Sequence, residues 1–231
     1  MRSVHPSPRR GFLARMFGAA AALTTAGVAV PSRAEAQADT GWITEVPGKA
    51  RCFFDCPQHA NGVGLLHILN YLGAYPAGQA GVASSFYGVG PASSLALGFS
   101  DAMWARYGLG ELLGLKDAAG KPYTRNVFAS LTKDEAHIVA ARMGIPATIA
   151  MLGQAAPAFS IPSLQKMGTK FLICNNALGL WTLELEARGK GAAAAIDKDL
   201  RANVLPGVTI VPAMVQAIEQ AHAAGFSYNR Q

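Results

Sequence analysis

The chain has 231 residues, of which 20 are basic and 14 acidic, and hydrophobic side chains occupy 51% of its positions. Residues 1–38 hold five of the basic residues (Arg2, Arg9, Arg10, Arg15 and Arg33) and one acidic residue (Glu35), so the remainder carries 15 against 13, a net charge of +2. That balance leaves no basic cluster to serve as a nucleic-acid footprint, and three cysteines are too few, and an odd number, for a disulfide-stapled scaffold.

The first 38 residues do not read as part of a fold. Pro8-Arg-Arg-Gly-Phe-Leu13 pairs two arginines ahead of apolar residues, Met16 to Val30 is weakly hydrophobic, and Ala34-Glu-Ala36 or Ala36-Gln-Ala38 suits small-residue cleavage. This order resembles a twin-arginine signal peptide and implies export to the periplasm. The apolar run falls short of the roughly 20 residues of a spanning helix, so no stable membrane insertion is expected after processing. The 193 residues that remain suit one well-cored domain.

Asp39 to Gly48, with Pro47 and Gly48, reads as a linker into a single domain over residues 49–231. Ala50-Arg-Cys-Phe-Phe-Asp-Cys56 alternates Cys52, Phe54 and Cys56 with Arg51, Phe53 and Asp55, as in a strand covered on both faces. Pro57 suits the first turn of a following helix, and Leu65, Leu66, Leu69 and Leu72 recur at helical spacing. Val82 to Tyr87 is a second strand, Ser100 to Tyr107 a helix, and Gly110 to Asn126 a loop with one short helix. Thr132 with Glu135 forms a capping-box pattern at the head of a helix reaching Met143. Residues 144–162, with Pro146, Pro157 and Pro162, predict an inserted loop or mobile flap. A short helix over Ser163 to Met167 leads to the strand Phe171 to Ile173. Helices over Leu178 to Arg188 and Ala192 to Asn203, a strand over Gly207 to Val211, a helix over Pro212 to Ala224 and a last strand over Phe226 to Tyr228 complete the chain. Such alternation predicts an α/β three-layer sandwich with a mostly parallel, doubly wound sheet of about five strands, flavodoxin-like in order.

The leading chemical candidate is Cys174, which ends an apolar strand just before a turn formed by Asn175 and Asn176. A thiol there sits at the carboxyl edge of a parallel sheet near backbone N–H groups, where a thiolate is stabilised. Cys56 is the second candidate: at a strand end with a helix beginning at Pro57, it would be made thiolate-like by the helix dipole. In a flavodoxin-like order the first and third strands are neighbours, which would bring Cys56 and Cys174 together and leave Cys52 in the core. His59, Asn175 and Asn176 are the candidate substrate contacts. Cys56, His59 and Cys174 offer three N/S ligands, but no strict paired-ligand motif accompanies them, so neither a metal nor any other cofactor is assigned. Thr124-Arg125-Asn126 is either an anion-binding loop or a solvated turn.

Three segments together suggest a family: Cys56-Pro-Gln-His-Ala-Asn-Gly62, Phe171-Leu-Ile-Cys-Asn-Asn-Ala177 and Leu205-Pro-Gly-Val-Thr-Ile-Val-Pro-Ala213. In this order they resemble the DsrE/DsrF-like proteins, in particular an exported branch. The resemblance implies an α/β fold related to the sulfur-relay proteins, in which a cysteine just after a middle strand carries sulfur as a persulfide, often in a homo-oligomer. Cys174 is the position onto which that role transfers, with a small sulfur compound or a partner protein as its counterpart. A reading of another class stands beside it: a non-catalytic periplasmic protein that uses the same sheet edge to bind a small molecule, a metal or a partner chain.

Overall fold

The computed structural model describes residues 40–145 and 148–231, so the signal-peptide reading of residues 1–38 lies outside the described residues. Five strands, β1 (Ala50–Asp55), β2 (Ala80–Phe86), β3 (Thr169–Cys174), β4 (Thr209–Val211) and β5 (Ser227–Arg230), form one sheet in the order β4-β3-β2-β1-β5. Every pairing is parallel. The inner strands are nearly continuous apolar runs because both faces are covered, and Phe53, Phe54, Phe86, Phe171, Leu172 and Ile173 are all buried.

From β1 to β4 each strand is laid down beside the last, and β5 then returns to the far side of β1. The doubly wound α/β sandwich expected from the alternation is therefore present. Its strand order, however, places β2 between β1 and β3, so the expected adjacency of the first and third strands does not occur. The turn of direction lies at β1 and β5 instead.

The register carries the alternation across the sheet. Phe54 pairs with Ser84, which pairs with Phe171, and these face α2 (Val63–Gly73), where Phe54 meets Tyr71 edge to face. Phe53, Ala83, Ser85, Leu172 and Cys174 point the other way. That face is covered by α10 (Met214–Ala223) and by the segment around α1 (Gly41–Thr44), whose Trp42 packs on Phe53 and Phe226. Trp42 is 1% and Val46 4% exposed, and Pro47 closes on Gly81 and Gly168, where an added Cβ would lie 2.2 Å and 2.7 Å away, so this segment packs two side chains into the core instead of running free as a linker.

Between β2 and β3 run α3 (Asp101–Tyr107), α4 (Leu109–Leu112), α5 (Ala136–Met143), α6 (Ile149–Ala155) and α7 (Ile161–Lys166). The capping box forms as expected, with the Thr132 amide donating to Glu135 Oε2 at 2.8 Å. Residues 148–161 depart from expectation, because α6 and a 3-10 turn (Ala156–Phe159) bury Leu152, Ala156 and Phe159. The prolines do not open a loop there: Pro157 and Pro162 stand at the first turns of their helices, where a missing N–H costs nothing. Arg125 pairs with Glu135, and the buried Asn126 donates to Leu97 O and Phe99 O at 2.8 Å each, so this stretch is a structural clasp rather than a solvated or anion-binding turn. The helices α8 (Asn175–Ala187) and α9 (Ala193–Ala202) pack on each other after β3. No helix among the described residues is long and apolar enough to cross a membrane.

Candidate functional site

Cys174 is the last residue of β3 and the N-cap of α8 at once, so strand and helix meet at its backbone. The helix begins at Asn175, three residues before the predicted Leu178, because Cys174 itself turns the chain with an extended ψ of 117°. Its side chain makes no cap hydrogen bond to α8. The sulfur instead lies on the α10 face, where the Met214 amide, first in α10, donates to Sγ at 3.4 Å. Ala213, the N-cap of α10, also contributes no side-chain cap. One helix start thus supplies the sulfur with a backbone donor, and a second helix begins at the same residue. The residue is buried, 6% exposed, at the carboxyl end of β3.

The neighbours have separate duties. Asn175 is buried and its Oδ1 accepts from Arg201 Nη2 at 2.6 Å, which fixes the start of α8 against α9. Asn176 is exposed beside it and is the one of the two asparagines open to a ligand.

Cys56 belongs to a different place. Its sulfur lies on the α2 face, 3.7 Å from Ser84 Oγ, and an added Cβ on Gly64 would stand 3.1 Å from it. Two strand spacings of about 4.8 Å and the thickness of the sheet separate it from Cys174, beyond disulfide or shared-ligand range. No helix starts at Pro57: α2 begins at Val63, after a 3-10 turn (Ala60–Gly62). Burial therefore governs the thiol, and with help from the Asp55 charge it pushes the pKa from the ordinary 9.0 up to about 12, while Ser84 opposes it. The expected thiolate-like Cys56 is thus corrected to a neutral one. Cys52 is buried as well, its pKa also raised by burial, and all three thiols are free.

Both ring nitrogens of His59 are engaged by the backbone. Its Nδ1 accepts from the Asn61 amide at 3.1 Å and its Nε2 donates to Pro91 O at 3.2 Å, so one neutral tautomer satisfies both. Burial, the largest cause, lowers its pKa, which agrees with that tautomer. The ring stitches the loop after β1 to the loop after β2, alongside the His59 amide bond to Ala92 O at 2.8 Å and the Ser94 hydroxyl bond to Cys56 O. These loops close over Cys56. Cys56, His59 and Cys174 do not form a three-ligand set, and no group of three His, Cys, Asp or Glu among the described residues is placed to hold a metal.

Sequence reasoning placed Asp55 on the second face of β1 without a role. The structure makes it a buried hub, 2% exposed, accepting from Tyr228 at 2.6 Å and from Ser85 at 3.2 Å. Ser85 in turn accepts from the Cys56 amide at 2.7 Å. Burial first, and then the bond to Asp55, raise the Tyr228 pKa to about 12. An aspartate closing an otherwise apolar strand is the signal that could have exposed this cluster, since a buried carboxylate needs partners. Comparison of the chain with family models, curated proteins and solved structures finds no match.

Proposed function

We propose that this chain is an exported, DsrE/DsrF-like sulfur-handling protein in which Cys174 accepts sulfane sulfur. The observation that carries the reading is the Cys174 sulfur at the meeting of two helix starts, with the Met214 amide donating to it. The step is an exchange at sulfur: the Cys174 thiolate attacks the outer sulfur of a donor persulfide, R–S–SH, the donor S–S bond breaks, and RS⁻ leaves as the Cys174 persulfide forms. The donor is a small sulfur compound or a partner protein that carries such a group. Cys56 takes no part in this step, because it is neutral, enclosed and on the opposite face. Export by the twin-arginine route, with Arg9 and Arg10 as the recognition pair, belongs to the same reading.

Intact-mass measurement after incubation with a low-molecular-weight persulfide tests it. The expected result is a gain of one sulfur atom that cyanide removes and that Cys174→Ser lacks. A gain that persists in Cys174→Ser, or no gain in the wild type, would refute the assignment.

A further inference from the structure

The sheet reverses its strand order at β1 and β5, the kind of position at which open α/β sheets bind ligands outside the carboxyl ends of their strands. An open groove of about 960 Å³ lies there, between α2 and the edge strand β5. Its volume is within the range of small-molecule sites. Phe54, Val63, Tyr71 and Met143 give it apolar walls, and His67, Asn70, Asn229 and the Gln231 side-chain amide add polar groups. Its one charged side chain is Arg142, and no aspartate or glutamate lines it; Arg230 pairs in register with Asp55, so its side chain belongs to the opposite face. Arg142 is ion-paired with no carboxylate among the described residues, the terminal one of Gln231 included. The nearby carboxylate of Asp55 points to the opposite face, where it accepts from Ser85 and Tyr228.

A second feature marks the same place. Ala60, which lines the groove, and Asn61 hold left-handed φ angles of 39° and 53°, followed by Gly62 at 86°. Left-handed backbone at two consecutive non-glycine residues is strained and persists only where surrounding structure enforces it. Here the His59 and Pro91 contacts and the Asn61 side chain, which donates to Ile138 O at 3.2 Å, hold the turn. The last of these ties the groove's rim to α5, the helix that carries Arg142.

We infer that this groove binds a small organic anion with an apolar body, whose acidic group meets Arg142 and whose body lies along α2. The site is separate from Cys174, which faces the other side of the sheet, and it stands whether or not that thiol carries sulfur. The fluorescent sulfonate 8-anilinonaphthalene-1-sulfonate and its uncharged relative N-phenyl-1-naphthylamine serve as probes, titrated into the purified protein. Wild type and Cys174→Ser bind the sulfonate alike. Arg142→Ala, a change at an exposed position, weakens it about tenfold or more through loss of a charge-assisted contact and leaves the uncharged probe within about twofold. Asn70→Trp, also at an exposed position, fills the groove and removes both probes while circular dichroism shows the fold retained. Absence of sulfonate binding to the wild type, equal affinity in Arg142→Ala, or retention of either probe by a folded Asn70→Trp would overturn the inference.

Discussion

Cys56 and Cys174 have the same exposure, 6%, and differ in what surrounds the sulfur. One faces a serine hydroxyl and apolar packing under two stitched loops, and the other faces a backbone amide at the start of a helix. The raised pKa of Cys56 has a consequence for stability. Because the folded value, about 12, lies above the ordinary 9.0, folding favours the neutral thiol; its contribution is complete below about pH 9 and is lost as pH rises towards 12. The stability gap between wild type and Cys56→Ala, measured by urea unfolding, should therefore narrow between about pH 8 and about pH 11. A constant gap would show that Cys56 is not buried as a neutral thiol. At this scale the sequence exposed the candidate thiols but not their surroundings. Whether a strand-end cysteine meets a helix start depends on where the next helix begins, and the left-handed turn at Ala60 and Asn61, which delays α2 to Val63, leaves no periodic trace.

At the scale of elements, alternation and helical spacing made most strands and helices legible, including the capping box at Thr132 and the first strand with its two faces. The stretch 144–162 was not legible as packed structure because its prolines and alanines suggest a loop. Proline at a helix start and alanine against a neighbouring helix are compatible with tight packing, and only the partners decide between the two. The segment Gly41–Pro47 was misjudged for a related reason: one tryptophan among polar and turn residues gives no pattern, yet it fills a gap beside Phe53 and Phe226. Phe159→Ala provides the test at this scale. Loss of a fully buried phenylalanine should cost about 3–5 kcal/mol in urea unfolding, whereas a loosely attached flap would lose almost nothing.

For the molecule as a whole, alternation predicted the α/β class and the single sheet, while strand order was out of reach. Parallel strands of similar apolar composition carry little information about which neighbour each will take, and the order β4-β3-β2-β1-β5 separates two thiols that a flavodoxin-like order would have joined. The result is a sheet with the Cys174 thiol at the end of β3 and the groove beside Arg142 at the end of β1 and β5, on opposite faces. The proposed export is testable at this scale too. Replacing Arg9 and Arg10 by lysines keeps the charge and removes the paired arginines, so the precursor should accumulate unprocessed in the cytoplasm; unchanged processing and export would defeat the signal assignment.

The proposed chemistry requires Cys174 to be the one reactive thiol of the folded protein. Site-resolved alkylation of the native protein at neutral pH, read by peptide mass spectrometry, measures this directly. Cys174 should be labelled first, with Cys52 and Cys56 labelled only after unfolding by denaturant. Labelling of Cys56 at the rate of Cys174 in the native protein, or a Cys174 that resists the reagent until unfolding, would contradict the account.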